Sequence, residues 1–490
     1  MYYRLNEDYA LRGWEDLPCA VAHYRIRETE GKGPRFETYV RPYFFSEEAY
    51  ELIRRFDGQT PVSLDELTAK EKRAVRTALE KSIVTESEQP MEKLTAFQEY
   101  RFFPALYIQE VVWSISGRCN YRCRHCILSA PDGIHPELPF EDCVRIADQL
   151  AECGINTVAL TGGEPLIRRD FPRFVEMLTE RDIRISMIMT NGKLLTKQIL
   201  DCLRENGQHP AFQISFDGFG FHDRMRGITG AEQAALDAMR LMIEEGFPVT
   251  AAMCIDRQSA GSIRETALRL GEMGVDSLGI SSPQRFGAWE NADKDIALSF
   301  AESLDLFLDY IPQFFEDGMP ITVSIGGVFQ CNRHGTDYSI PAVRNFDTDE
   351  ELRRHLICDT ARFRVYISAE GQLMPCLGYG ATGYASEFPN VLQIPMKDIL
   401  HQSRTREIMT CRMKEYFAKN EKCRTCKKRL KCAGGCRVNA MTVHRDNNMG
   451  IDEDACYFHL GGYEERIRET ADSAIRRLSL PENSIGIPAR

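Results

Sequence analysis

Three cysteines between residues 119 and 126 are spaced closely enough to bind one metal cluster. Cys119, Cys123 and Cys126 form a Cys-x3-Cys-x2-Cys loop directly after the apolar run Val111–Ile115. Three thiolates at this spacing can hold three irons of a cubane 4Fe–4S cluster and leave the fourth iron without a protein ligand. Such an open iron can chelate a small molecule and pass it an electron. Zinc is the less favoured alternative, because structural zinc sites use four ligands in paired spacing.

Seven further cysteines in the C-terminal third form a second concentration of thiols. The runs Arg362–Ser368 and Gln372–Pro375 are predicted to form a hairpin that brings Cys358 and Cys376 together. The other five follow as Cys423, Cys426, Cys432, Cys436 and Cys456. The chain has 17 cysteines and no signal-peptide pattern, which indicates metal sites more than disulfides. Zinc remains an alternative for the first four of these five thiols.

The elements that must position the first cysteine loop alternate between strand and helix from residue 108 onward. The predicted strands are Val111–Ile115, Asn156–Leu160, Arg184–Met189, Phe212–Phe216, Pro248–Ile255 and Ser277–Ser281. The predicted helices are Phe140–Glu152, Phe171–Glu180, Thr196–Arg204, Ala231–Glu244 and Ser262–Glu272, with a last helical segment at Asn291–Pro312. About six βα units predict an α/β fold with a parallel sheet, a partial (β/α)6 TIM-like barrel. Sites in such sheets lie at the carboxyl ends of the strands.

The cysteine loop after a strand resembles the signature of the radical S-adenosylmethionine (SAM) enzymes. The resemblance implies that the open iron binds SAM and that one electron cleaves it into methionine and a 5′-deoxyadenosyl radical, which abstracts a hydrogen from the substrate. The Gly-Gly-Glu-Pro sequence after the second strand also matches that family, as do the ends of the next two strands. By resemblance, the SAM-binding residues are His125, Gly162, Gly163, Glu164, Asn191, Ser215, Asp217 and Arg226. Arg224 competes with Arg226 for a charge-assisted bond to the cofactor carboxylate.

The seven C-terminal cysteines resemble the SPASM extension of the same family, which carries two auxiliary 4Fe–4S clusters. By resemblance, one cluster is held by Cys423, Cys426, Cys432 and Cys456. The other is held by Cys358, Cys376 and Cys436, and its fourth ligand stays open between Cys331, Cys411, Asp359 and a substrate thiolate. Three clusters in all are therefore expected. Cys143, Cys153, Cys202 and Cys254 lie in apolar periodic stretches and are predicted to be buried small hydrophobes.

Residues 1–107 are predicted to form a separate region without clustered cysteines. The predicted elements are strands Val21–Ile26 and Phe36–Val40, a helix Glu47–Phe56 capped by Ser46, and a helix reaching about Lys81 with a Ser63–Glu66 capping box. A hairpin followed by helices is typical of a winged-helix module. The layout resembles the leader-peptide recognition modules of peptide maturases, in which a peptide adds to a sheet edge. A dimerisation or packing appendage is the alternative.

Composition restricts the classes of function that fit. The net charge of −11 argues against a general nucleic-acid binder, and no apolar run approaches the roughly 18 residues of a membrane span. We expect three domains, at residues 1–107, 108–320 and 321–490, in a cytoplasmic protein. A redox-sensing transcription factor with a winged helix is disfavoured, because the Gly-Gly-Glu-Pro loop would have no function in such a protein.

The function that these patterns predict is that of a radical SAM maturase. It would install a thioether or carbon–carbon crosslink in a ribosomally made precursor peptide with a leader. An electron donor such as flavodoxin or ferredoxin is the expected second partner. The alternative is an anaerobic sulfatase-maturing, formylglycine-forming enzyme or another protein-modifying radical SAM enzyme. That branch of the family carries an acid after the cysteine that matches Cys376, where this chain has Leu377, and this difference weakens the alternative.

Overall fold

A computed structural model of the chain describes residues 1–23, 42–130, 136–290, 292, 295–443 and 447–478. The first 107 residues contain two small sheets, and their elements are β1 (Tyr2–Leu5), β2 (Tyr9–Trp14), β3 (Ala20–His23), β4 (Tyr43–Phe44), α1 (Glu47–Arg54), β5 (Asp57–Pro61), α2 (Ala69–Glu80), β6 (Val84–Ser87) and β7 (Arg101–Phe103). One sheet has the antiparallel order β5-β1-β6, and the other has the order β4-β3-β2-β7. Tyr3 and Leu5 of β1 pack with Tyr50 and Ile53 of α1 in the core beneath them. The predicted strand Phe36–Val40 lies outside the described residues.

The helix caps of this region confirm one expectation and correct another. The Ser46 side chain accepts a hydrogen bond from the backbone N–H of Ala49, so it caps α1 as predicted. Ser63 makes no such bond and precedes only a short 3-10 turn. The capping box is instead formed by Thr68 and Glu71, whose side chains each bond the backbone of the other. The prediction failed because both Ser-x-x-Glu and Thr-x-x-Glu occur within the nine residues 63–71, and sequence alone does not choose between them.

The central region is a parallel sheet flanked by helices. Its elements are β8 (Glu110–Ser116), α3 (Phe140–Glu152), β9 (Thr157–Gly162), α4 (Phe171–Thr179), β10 (Arg184–Thr190), α5 (Lys197–Glu205), β11 (Ala211–Ser215), α6 (His222–Arg226), α7 (Ala231–Glu244), β12 (Val249–Cys254), α8 (Ile263–Met273), β13 (Ser277–Ser281), α9 (Phe300–Glu316) and β14 (Thr322–Ile325). Each strand from β8 to β14 pairs in parallel with the next. The parallel run is therefore one strand longer than the six predicted, and the last helix begins at Phe300 rather than at residue 291.

The C-terminal region adds strands to both ends of this sheet and then continues as short helices. Its elements are β15 (Phe329–Cys331), β16 (Tyr338–Ser339), α10 (Asp349–Arg354), α11 (Asp359–Phe363), β17 (Arg364–Ile367), β18 (Leu373–Met374), α12 (Leu377–Gly380), α13 (Met396–His401), α14 (Arg404–Thr410), α15 (Met413–Lys419), α16 (Glu421–Arg424), α17 (Arg429–Cys432), α18 (Arg437–Val443), α19 (Glu453–Leu460) and α20 (Tyr463–Leu478). The β17–β18 hairpin forms as predicted, and β17 pairs in parallel with β8.

The complete sheet is open, which confirms the partial barrel. Its order runs from β16 at one edge to β18 at the other, so the strands described do not close into a ring. Helices cover the outer face through a large apolar core that includes Phe174, Leu200 and Met239. On the inner face, Val112 and Ala159 pack against Tyr366 and Met374 of the hairpin. The domain limits at residues 107 and 320 stay predictions, since β14 and β17 continue the central sheet beyond residue 320. No helix in the described ranges is long and apolar enough to cross a membrane.

Candidate active site and cysteine clusters

The loop that carries Cys119, Cys123 and Cys126 follows β8 and lies at the carboxyl end of the parallel sheet. Gly162 at the end of β9 and Gly163 directly after it allow this loop to approach the strand ends closely. A Cβ atom on Gly162 would lie 2.3 Å from the carbonyl oxygen of Ser116, and one on Gly163 would lie 2.3 Å from that of Arg118. Any larger residue would push the loop away. The predicted glycines therefore hold the cysteine loop against the strand ends.

Each thiol of this triad has an N–H donor within hydrogen-bonding distance. The backbone N–H of Tyr121 donates to Cys119 Sγ at 3.4 Å, and that of Ala130 donates to Cys126 Sγ at 3.4 Å. The guanidinium of Arg226 donates to Cys123 Sγ at 3.7 Å. N–H donors stabilise thiolate charge and tune iron–sulfur clusters, so this donor set fits a cluster. Burial raises the pKa of Cys119 to about 12, so metal binding must displace its proton.

Glu164 connects the ends of neighbouring strands. Its carboxylate accepts hydrogen bonds from the hydroxyl of Thr190 at 2.7 Å and from the backbone N–H of Asn191 at 2.8 Å. Burial raises its pKa to about 7 despite these bonds. The Asn191 side chain in turn donates to Asn120 in the cysteine loop at 2.8 Å. The structure therefore brings Glu164 and Asn191 to the loop as the sequence predicted, and Asn120 is a link that sequence reasoning missed.

Asp217 is the centre of a buried polar group after β11. Arg226 pairs with it through Nε at 2.7 Å and Nη2 at 2.9 Å. Its backbone N–H donates to Nδ1 of His222 at 2.9 Å, and His125 Nε2 lies 3.9 Å from its carboxylate. Burial alone would raise the pKa of Asp217, but Arg226 and the two histidines hold it well below its usual range. The predicted residues Asp217, Arg226 and His125 are thus one connected group.

Arg224, the alternative to Arg226 for binding the cofactor carboxylate, and Ser215 lie close in sequence to this polar group. Arg224 Nη2 bonds both carboxylate oxygens of Asp256, at 2.8 and 2.7 Å. Its buried Nε and Nη1 have no hydrogen-bond partner among the described residues. Ser215 is the last residue of β11 and is half-buried.

Cys254 was predicted to be a buried core residue, and the structure corrects this. It is the last residue of β12 and is only partly buried. Its backbone N–H donates to Asp217 at 3.0 Å, and its thiol lies 3.7 Å from Ser281 Oγ. The signal that could have found it is its position at the carboxyl end of a barrel strand. Cys143 and Cys153 are buried as predicted, whereas Cys202 is half-buried.

Four of the C-terminal cysteines line one cavity. The cavity has a volume of about 270 Å³, and its lining includes Cys423, Cys426, Cys432 and Cys456. The backbone N–H of Lys428 donates to Cys426 Sγ at 3.4 Å, and the hydroxyl of Tyr416 lies 3.3 Å from Cys423 Sγ. The space is far larger than one metal ion and has thiols around it. The quartet that the SPASM resemblance implied therefore fits a cluster.

The remaining three cysteines form a second group beside the hairpin. Cys358 and Cys436 are near enough to Cys376 to perturb its pKa, which burial raises to about 12. Cys376 also packs on the inner face of the sheet with Met187 and Met189.

The three protein candidates for a fourth ligand to this group are otherwise engaged. Cys331 is buried in the central core, where its thiol donates to the carbonyl of Gly335 at 3.3 Å. Cys411 donates to the carbonyl of Arg412 at 3.8 Å. Asp359 pairs with His355 Nε2 at 3.1 Å.

An open parallel α/β sheet with a three-thiol loop at its strand ends is the arrangement expected of a radical SAM enzyme. The family model of the radical SAM superfamily matches residues 113–280, and that of the SPASM iron–sulfur cluster-binding domain matches residues 358–427. The chain therefore contains a radical SAM domain and a SPASM domain. These two domains imply SAM and 4Fe–4S clusters as its cofactors.

Similar proteins act on different substrates. The PqqA peptide cyclase of Granulibacter bethesdensis is 29% identical over 70% of this chain and 85% of its own length. The Fe-coproporphyrin III synthase of Methanosarcina barkeri is 26% identical over 72% of this chain and 90% of its own length. Sequence similarity alone therefore does not decide the substrate class.

A solved structure extends the similarity toward the N-terminus. Streptococcus suis SuiB bound to precursor peptide SuiA matches with a TM-score of 0.61 at 16% identity, over 93% of this chain and 99% of SuiB. Residues 108–490 make up about four fifths of the chain, so this alignment includes part of the N-terminal region. The fold of that region is therefore shared with SuiB at least in part.

Proposed function

We propose that this chain is a radical SAM maturase that installs a thioether or carbon–carbon crosslink in a ribosomally synthesised peptide. The observation that carries the proposal is the arrangement of the SPASM cysteines as a complete quartet and a separate group of three. Cys376 of the group of three packs in the same apolar cluster as Met187 and Met189 of the sheet and Ile127, which follows Cys126. When bound, SAM and three 4Fe–4S clusters would supply the hydrogen-abstracting radical and take up the electron released on bond closure.

The residues of the chain bind and orient these groups. Cys119, Cys123 and Cys126 would hold the first cluster, with Gly162 and Gly163 keeping their loop at the strand ends. The remaining SAM-binding residues of this proposal are His125, Glu164, Asn191, Ser215, Asp217 and Arg226. Of these six residues, Glu164, Asn191, Asp217 and Arg226 are buried.

A peptide substrate is supported by how the N-terminal region joins the rest of the enzyme. Arg362 donates to the carbonyl of Tyr107 at 2.8 Å and forms an ion pair with Asp16. The indole N–H of Trp14 donates to the carbonyl of Cys153 at 3.1 Å. These buried polar contacts fix the region to both the central and the C-terminal parts. A leader bound there would therefore present its peptide at a constant distance from the radical site.

The same region offers edges for a peptide strand. β4 and β7 are the outer strands of the four-stranded sheet. Phe44 on β4 and Phe102 on β7 are 47% and 53% exposed. An added strand would gain backbone hydrogen bonds and apolar contact there. The PqqA peptide cyclase and the SuiB complex with its precursor peptide, by their names, act on or bind peptides, which agrees with this assignment.

The group of three cysteines favours a thioether over a carbon–carbon bond. If Cys358, Cys376 and Cys436 are the only protein ligands of their cluster, a substrate thiolate can take the fourth position. That thiolate would be held close to the carbon radical that it must join. Formylglycine formation is less favoured, because Leu377 stands where the sulfatase-maturing branch has an acid. Flavodoxin or ferredoxin, in the cytoplasm, is the electron donor in this proposal.

The proposal is tested by a search for a short, cysteine-rich precursor encoded beside the gene, co-expression with that precursor, and mass spectrometry of the peptide. We expect the loss of two hydrogens for each crosslink and release of 5′-deoxyadenosine. A precursor with its cysteines replaced by serine separates the two bond types, because only a carbon–carbon link survives that change. A sulfatase peptide is the competing substrate, and its conversion to formylglycine without any precursor modification would refute the proposal.

A further inference from the structure

Arg226 is unusual among the residues near the first cysteine loop, because it touches both a carboxylate and a cluster sulfur. Nε and Nη2 pair with Asp217, while Nη1 donates to Cys123 Sγ at 3.7 Å. Its side chain is 90% buried and Asp217 is fully buried. A guanidinium in so little water exerts a much stronger field than one at the surface.

The backbone around Arg226 fixes this contact. The N–H of Arg122 donates to the carbonyl of Arg226 at 3.2 Å, and that of Arg124 donates to the carbonyl of Met225 at 2.9 Å. Gly227 follows with a φ of +68°, and a Cβ atom there would lie 2.3 Å from the carbonyl of Arg122. Helix α6 and the cysteine loop are therefore joined, so Arg226 moves with Cys123.

The carboxylate of Asp217 does not depend on Arg226 for partners. It also accepts a hydrogen bond from the backbone N–H of Cys254 at 3.0 Å. Asp217 is thus a fixed anchor that orients the guanidinium.

We propose that Arg226 raises the reduction potential of the first cluster by hydrogen bonding to Cys123 and placing a buried positive charge beside it, with Asp217 as the residue that positions it. This inference rests on the proposed function, because it needs a cluster at the triad. Added electron density on the sulfurs is stabilised by an N–H donor and a cation, so the reduced state gains more than the oxidised state. Arg226 would thereby make the first cluster easier for a protein electron donor to reduce.

The test is a potentiometric titration of the full chain, reconstituted with iron and sulfide and followed by electron paramagnetic resonance. The signal of the first cluster is assigned in the unmodified chain, as the one that changes when SAM is added. The same signal is then titrated in every variant without SAM, because Arg226 is itself a proposed SAM-binding residue. The variants are R226Q, which removes the charge, and R226K, which keeps the charge but cannot bond Asp217 and Cys123 together. R118Q is the matched control, because Arg118 precedes Cys119 but is exposed.

For R226Q we expect the ratio of reduced to oxidised first cluster at a fixed potential to fall about tenfold, which equals a shift of about 59 mV for one electron. The reduction potential of R226K is expected to lie between those of R226Q and the unmodified chain. That of R118Q is expected to equal the potential of the unmodified chain. If an Arg226 variant that binds the cluster has the same potential as the unmodified chain, the proposed role of Arg226 is wrong. The same holds if R118Q shifts the potential as much as the Arg226 variants do. Absence of any SAM-responsive cluster in the unmodified chain would instead overturn the proposed function.

Discussion

The two cysteine regions of this enzyme are built in opposite ways. The first triad lies within eight consecutive residues, on one loop that glycines and strand ends hold in place. The SPASM thiols are spread over residues 358–456, and their two groups interleave along the chain. Cys436 belongs to the group of Cys358 and Cys376. Cys432, four residues earlier in the chain, belongs to the quartet that lines the cavity.

This difference shows that local spacing alone can specify a cluster only where a rigid element fixes the loop. The triad follows β8, which is fully buried. Of the auxiliary thiols, Cys423 and Cys432 instead lie on helices of four residues, which have little stability of their own. Their positions depend on tertiary contacts such as the hydrogen bond from Arg437 to the carbonyl of Gly450 at 2.8 Å.

The largest effect is expected when a triad thiol is removed. Cys126→Ala should lower 5′-deoxyadenosine release at least about 100-fold, because a cluster with two protein ligands is not retained. Chromatographic assay of 5′-deoxyadenosine, with iron content measured in parallel, checks this. Cys143→Ala is the matched control. Removal of that buried thiol should lower the free energy of unfolding by only about 1–2 kcal/mol and should leave the iron content unchanged. Equal losses in both variants would show that cysteine removal acts through folding.

Removing an auxiliary thiol should separate radical formation from bond formation. Cys376→Ala is expected to lower crosslinked product at least about tenfold, while 5′-deoxyadenosine release changes by less than about threefold. Quantifying both products in the same reaction checks the split. Cys411→Ala should leave both unchanged, because that thiol bonds only a nearby carbonyl. A parallel fall in both products for Cys376→Ala would mean that the two regions do not have separate tasks.

The support beneath the triad can be tested without touching a thiol. In Gly163→Ala, the new methyl group would lie 2.3 Å from the Arg118 carbonyl and 3.0 Å from Cys119 Cβ. We expect this overpacking to cost about 1–3 kcal/mol and to lower the iron retained by the first cluster. Gly261→Ala, where a Cβ atom meets nothing within 4 Å, is the control. Iron content and the SAM-responsive resonance signal measure the result, and full loading of the Gly163 variant would contradict it.

The smallest effect expected is a pH dependence of stability from Glu164. Its pKa of about 7 in the folded chain lies above the ordinary value of 4.5. The folded chain therefore binds the Glu164 proton more tightly than the unfolded chain does. The resulting contribution to the free energy of unfolding is fully present at low pH and is lost as pH rises through about 7. Between pH 5 and 8 the decline should be on the order of 2 kcal/mol. Glu164→Gln should remove it.

Chemical unfolding of the chain without metal, followed by circular dichroism at both pH values, measures that decline. Thr157→Ser serves as the control for a conservative change on the preceding strand. If Glu164→Gln and the unmodified chain lose stability equally between pH 5 and 8, Glu164 is not the source.

Much of the central region was predictable because its signals are local and periodic. The limits of α3 and β13 agree residue by residue with the prediction, and the other parallel strands differ by a few residues. The SPASM hairpin was also found, since Ala369-Glu370-Gly371 separates two short apolar runs. The seventh parallel strand was missed, because β14 is only four residues long. Capping by Thr68 rather than Ser63 was missed because two equivalent capping signals, at residues 63–66 and 68–71, follow each other closely.

The sequence by itself determined which chemistry this protein carries, because thiol spacing and glycine positions are properties of one short stretch. It also determined the open parallel sheet, since buried strands and amphipathic helices alternate with characteristic periods. Only the tertiary structure decided that Arg226 reaches Cys123 Sγ, that Cys254 lies beside Asp217, and that the hairpin packs on the inner face of the sheet. These contacts join residues far apart in the chain, and packing rather than local pattern brings them together.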